Sequence, residues 1–123
     1  MQDYCGDKKN ESLMRLALQY LNEIREAEAT TLKNKNPHDP MRVLEAMDIL
    51  TCCEMITHVC MARRANCSWL FFERLDCPED DPDEWRKWIT FKHDGKDVIF
   101  GELALDYAGD LEKNYELHNK YEQ

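Results

Sequence analysis

The feature that most constrains this chain is the stretch from Asp39 to Trp85, a long helical pattern that runs straight into a non-periodic segment crowded with aromatics, arginines and acids. Asp39 is a natural N-cap, and Pro40 suits the first helical position, where a missing N–H breaks no bond. Met41, Val43, Leu44, Met47, Leu50, Cys53, Thr57, Cys60 and Met61 then carry the pattern to about Ala65, apolar over more than half the circumference. At about 1.5 Å per residue such a helix is roughly 38 Å long, so the sequence predicts other elements covering both of its flanks.

Upstream, Leu13, Leu16, Ala17, Tyr20, Leu21, Ile24, Ala27 and Thr31 follow the spacing of an amphipathic helix that ends near Leu32, with Asn10 or Ser12 as its cap. The turn chemistry of Lys33 to His38, with Pro37 blocking continuation, makes the two helices antiparallel neighbours. Downstream, Asp83 to Trp88 predicts a helical turn that buries Trp85 or Trp88. Trp88–Lys92 and Asp97–Gly101 are β-rich runs around an Asp-Gly pair, which predicts a hairpin packed on the helices. Asp110 caps a short final helix reaching Tyr121. The expected architecture is mainly α in one domain, an antiparallel helical bundle with two long helices, an added β-hairpin and a short C-terminal helix. Its parts are a lead-in over 1–11, a helical hairpin over 12–65, an irregular aromatic and acidic segment over 66–87, the β-hairpin over 88–101 and the last helix over 110–121.

Charge and composition narrow the function classes. A formal net charge of -9 and the absence of any Lys/Arg cluster longer than a pair argue against nucleic acid as partner. No apolar run is long enough for a membrane span, and the first residues lack the basic and apolar regions of a secretion signal, so a cytoplasmic location is expected. Of six cysteines, Cys52, Cys53 and Cys60 fall in one helix, a pattern of reduced thiols rather than a disulfide framework.

Cys53, Cys60 and Cys67 recur every seven residues, but without the closely spaced cysteine pairs of a zinc site they read as packing residues. Glu54 lies one helical turn before His58; the pair is an ordinary side-chain contact rather than an acid/base unit, and His58 itself needs only a hydrogen bond. The acids from Asp76 to Glu84 carry two prolines and no glycine where a calcium loop turns sharply. Glycine-rich phosphate cradles and the Gly-x-Ser-x-Gly nucleophile turn are absent from the sequence.

The order and spacing of His38–Glu45, Ala62–Trp69 and Arg74–Trp85, followed by the hairpin, resemble the C-terminal region of the succinate dehydrogenase/fumarate reductase flavoprotein superfamily, especially its adenylylsulfate-reductase-like branch. Ser68-Trp69 matches the Ser-Trp form of one family segment, Arg74, Asp76 and Pro78 match the next, and Trp85 matches the last. Cys77 departs from the family's usual aromatic residue and Leu70 from its frequent glycine. The resemblance covers roughly Ser12 to Lys92 and implies a helical domain that packs against the flavin-binding and capping domains of an FAD-dependent oxidoreductase. FAD would belong to those other domains: no catalytic, cofactor or metal residue carries over to this chain, which is not expected to act alone.

Arg64, Ser68, Trp69, Phe71, Phe72, Arg74, Asp76, Pro78 and Trp85 are the candidate interface, with Arg64 and Arg74 flanking an aromatic patch and the acids forming its rim. The same aromatics could instead close the open end of the helical core. Free-standing alternatives are a helical interaction or regulatory domain, a homo-oligomer among them, and a small metal or redox protein using the thiols.

Overall fold

A computed structural model describes residues 1–94, 97–105 and 110–118, and helices predominate among them. The lead-in is itself structured. Helix α1 (Gln2–Cys5) is followed by a two-residue strand, β1 (Lys8–Lys9). Helix α2 (Glu11–Glu23) starts at Asn10, whose side chain accepts from the Leu13 amide at 2.8 Å. A π-helical turn (Ile24–Glu28) and a 3₁₀ turn (Ala29–Thr31) extend α2, so the helical path reaches the expected end but not as one regular helix.

Helix α3 spans Asp39–Ala62. Asp39 does not cap it in the expected way. Its carboxylate accepts from the Lys35 and Asn36 amides and from Asn36 Nδ2, tying back the preceding turn instead of the helix's own first amides. Glu11 meets Arg64, Arg25 meets Glu54, and Leu32 shares a hollow with Ala46, so contacts between the two helical segments run in opposite chain directions.

The core is small and off-centre. Met14 and Ala17 of α2, Thr57 of α3, and Ala65 and Cys67 beyond it are buried, together with Lys9 and Arg74. The expectation that both flanks of α3 are covered fails among the described residues: Met41, Leu44, Ile49, Met55 and Ile56 are exposed. At helical spacing Met41, Leu44, Met55 and Ile56 share one side of α3, while Ile49 borders the hollow that Ile24 and Leu32 also line. The other side takes the contacts with α2, and two elements are too few to cover a helix that is apolar all round.

Strands β3 (Lys87–His93) and β4 (Val98–Ala104) pair antiparallel from Lys87 opposite Ala104 to His93 opposite Val98, a longer hairpin than the sequence marks. Its turn includes Asp94 and Asp97, while the Gly95 of the expected Asp-Gly pair lies outside the described residues. Ile89 and Phe91 turn inward and Trp88 outward, the alternation a half-buried strand requires. Helix α4 (Leu111–His118) begins after Asp110, whose carboxylate accepts from the Glu112 amide as expected; the rest of the expected helix, 119–121, lies outside the described residues. No helix among the described residues is long and apolar enough to cross a membrane.

Candidate interaction surface

Arg74 organises the segment after α3. Only 2 % exposed, it lies on β2 (Glu73–Arg74), which runs parallel to β1 with Lys9 opposite Arg74. Its Nη1 donates to the carbonyls of Cys60, Met61 and Arg63 at 2.9, 3.2 and 2.9 Å. Those carbonyls lie in the last turn of α3 and at Arg63, the residue that caps it, where backbone acceptors run out of helical partners and a cation is favoured. Nε and Nη2 grip Asp76 at 2.7 and 2.6 Å, the planar fork that only arginine provides. The second oxygen of Asp76 also accepts from the Glu11 amide at 3.1 Å, so one ion pair closes the end of α3 and the beginning of α2 together. That hydrogen-bonded fork holds the Asp76 carboxyl well below the usual carboxylate range and raises Arg74 in turn.

Asn66 is the second hub. Its side chain accepts from the Arg74 amide and donates to the Cys77 carbonyl at 2.7 Å. Its backbone takes the Glu79 carbonyl at 2.8 Å and the Asp81 amide at 2.9 Å. Most of the aspartates from Asp76 to Asp83 are likewise engaged within the chain. Asp80 accepts from the Ser68 amide and hydroxyl, Asp81 faces Arg63 and Arg86, and Asp83 pairs with Arg86. The stretch read as irregular is therefore a cross-braced loop. Its brace explains why short turns suffice there in place of regular elements: nearly every inward polar group has a partner.

What the brace holds out is apolar. A 3₁₀ turn (Ser68–Leu70) and Phe71, closed by a Cys67–Phe72 bridge, form a tip on which Trp69 is 87 %, Leu70 74 % and Phe71 80 % exposed. Phe71 has φ 52°, a left-handed backbone that costs a bulky residue energy. Phe72 points the other way, under the Lys9 ammonium at 4.1 Å and near the Arg63 guanidinium. A hollow of about 680 Å³ opens between this tip, the end of α3 and β3; Leu70, Phe72, Trp85 and Trp88 are among its walls.

The candidate residues thus separate into two sets. Trp69 and Phe71 are displayed, and Ser68 anchors their turn. Arg74 does not flank the patch; it is buried beneath it, because its guanidinium is consumed by helix-end carbonyls and Asp76. Asp76 belongs to that brace and not to a polar rim. Phe72 and Trp85 are half-buried, Trp85 under Arg63 and Lys87, whereas Trp88 is exposed. Pro78 is exposed, and Arg64 reaches away to Glu11 at 3.6 Å. Sequence reasoning missed Asn66, Lys9 and Arg63. The one available signal for Asn66 was its position between two small residues, Ala65 and Cys67, at the point where helical period stops.

The chemistry weighed from sequence takes other forms. Glu54 pairs with Arg25 at 2.9 Å, not with His58, which lines a separate groove with Arg15 and Phe100. The six cysteines are free thiols, and among the described residues no three His, Cys, Asp or Glu side chains gather as a metal-ion set. Comparison with protein-family models gives no match, and comparison with curated proteins gives none.

Proposed function

We propose that this chain is a docking domain, the C-terminal antiparallel helical bundle of a cytoplasmic FAD-dependent oxidoreductase of the fumarate reductase/succinate dehydrogenase type. It packs against the flavin-binding and capping domains and does not catalyse alone. The observation that carries this reading is the tip Trp69-Leu70-Phe71, three large apolar side chains held in solvent by a base braced by hydrogen bonds of Asn66 and Arg74. A chain that uses a buried arginine and an Asn hub to display apolar residues is built for contact, since exposed apolar patches mark interaction sites and tryptophan is among the residues that anchor them.

The outer side of α3 adds Met41, Leu44 and Ile56 as further exposed apolar residues. The choice of a flavoprotein as partner rests on the resemblance of residues 38–45, 62–69 and 74–85.

The test is association with the flavin-containing polypeptide. Affinity isolation of the chain from its own cells should bring down a polypeptide carrying flavin, and Trp69→Ala should weaken that association by about 2 kcal/mol. A stable oligomer of this chain alone, with no flavin, would favour the free-standing interaction domain instead.

A further inference from the structure

A groove of about 710 Å³ opens where α2 begins, α3 ends and the hairpin packs beside them. Glu11 and Arg15 reach it from α2, Ile89 from β3 and Phe100 from β4. His58, Met61 and Ala62, spaced three and four residues apart, present one face of α3 to it. Arg64 completes the polar part of the lining, and its charge is only partly answered. Its Nη2 lies 3.6 Å from Glu11 Oε2, an ion-pair distance too long for a hydrogen bond, and its guanidinium donates no hydrogen bond to any described residue. Arg15 is committed instead, its Nε and Nη2 both donating to Glu11 Oε1. The His58 imidazole likewise makes no hydrogen bond to a described residue.

We infer that this groove binds a small monocarboxylate with an apolar body, its carboxylate on Arg64 and its body against Met61, Ile89 and Phe100. Charge selects a single anion. Around the groove Arg15, Arg64 and Lys87 stand against Glu11 and Glu102, with Lys87 meeting Glu102 at 2.8 Å, so one positive charge is left over on a chain whose net charge is -9. Asp76, whose carboxylate bonds the Glu11 amide, does not alter that balance because Arg74 matches it. A guanidinium whose donors are open receives a carboxylate through two parallel hydrogen bonds, and apolar walls beside it strengthen the contact by excluding water. Met61 and Ile89 are half-buried and Phe100 is exposed, so an apolar body laid on them removes their remaining surface from water. The volume falls within the range of about 300–1,000 Å³ usual for small-ligand sites. Trp69, Leu70 and Phe71 do not line the groove, so binding there is independent of docking through the tip.

The experiment is calorimetric titration of the native chain with 3-phenylpropionate, followed by amide-resolved NMR of the same mixture. One saturable site with a Kd of about 1 mM or tighter is expected for a ligand of this size. The largest shifts should fall at His58, Arg64, Ile89 and Phe100 and not at the tip. 3-Phenylpropionamide, which keeps the body and lacks the charge, should bind about tenfold more weakly, and so should propionate, which keeps the charge and lacks the body. Arg64→Met should weaken binding about tenfold without changing the melting temperature, because Arg64 is exposed and its guanidinium holds no hydrogen bond that folding needs. Glu11→Gln removes the competing anion and should tighten binding about threefold. The absence of a saturable site up to about 10 mM overturns the inference. So does equal affinity for the amide or for propionate, wild-type affinity in Arg64→Met, or a set of shifts confined to other surfaces. A Glu11→Gln chain that binds more weakly than wild type overturns it too, since Glu11 and the ligand carboxylate would then not compete for the same guanidiniums.

Discussion

Arg74 and Asp76, two residues apart, form a closed fork in which one guanidinium serves the last turn of α3 and one carboxylate serves the first turn of α2. Neither helix end could be closed as well by water, because Arg74 is buried and three carbonyls converge on a single nitrogen. The ion pair is therefore the joint between the helical segments and the braced loop.

Removing half of that joint should be costly. Arg74→Met leaves three helix-end carbonyls and the Asp76 carboxylate without their partner, and a loss of about 3–5 kcal/mol is expected. Arg74→Lys should recover little of it, since an ammonium cannot grip both carboxylate oxygens while reaching the carbonyls. Denaturant melts of the two variants against wild type measure both effects, and a midpoint for Arg74→Lys close to wild type would mean that charge alone suffices.

The same fork gives the chain an acid limit. The folded carboxyl of Asp76 lies below its unfolded value, which is about 4, so its stabilisation is complete above that pH and is lost as pH falls toward the folded value. Asp76→Asn abolishes that titration. The fall in unfolding free energy between neutral pH and about pH 3 should therefore be smaller in Asp76→Asn than in wild type, although the variant starts from lower stability at neutral pH. Equal falls in both would assign the acid sensitivity to other carboxylates.

Asn66→Ala should destabilise the chain by about 2–3 kcal/mol, for it removes an acceptor of the Arg74 amide and a donor to the Cys77 carbonyl and leaves both groups inside. Asn66→Asp keeps the acceptor but sets a carboxylate against the Cys77 carbonyl, so it should recover only part of the loss. Chemical denaturation resolves the order wild type, Asp, Ala. An alanine variant as stable as wild type would show that the loop is held by its backbone bridges alone.

Helix-forming stretches were legible in the sequence because local chemistry decides them: Asn10 caps α2, Pro40 fits the first turn of α3 and Asp110 caps α4, each through partners within a few residues. The brace was not legible, because its bonds join residues whose proximity depends on the fold. Arg74 is a surface residue by type, and only its placement under the end of α3 makes it a core residue. The lead-in shows the same limit, since a two-residue strand at Lys8–Lys9 exists only because Glu73 and Arg74 lie beside it. Long-range pairing also explains the acids, which pattern alone reads as a solvated rim and which the fold spends on Ser68, Arg63 and Arg86.

The tip offers a sharper test of docking than its exposure does. Among the described residues, two other than glycine have positive φ, Asp81 at 43° and Phe71 at 52°. Aspartate tolerates this conformation, whereas a phenylalanine there is strained, and this one is 80 % exposed and so recovers little by packing. Phe71→Gly should then stabilise the chain by about 1 kcal/mol, relief of the left-handed strain exceeding the greater freedom that glycine has when unfolded. Trp69→Ala, on the same tip but at ordinary backbone angles, should change stability by less than about 0.5 kcal/mol. If the tip is a docking element, both variants should weaken association with the flavin-containing polypeptide, and Phe71→Gly would combine a higher melting temperature with poorer binding. Thermal melts paired with calorimetric titration measure the two quantities on one sample. A Phe71→Gly chain that melts lower than wild type would mean that the ring holds the loop together, and the reason for a strained aromatic at that position would then be internal packing rather than contact with another domain.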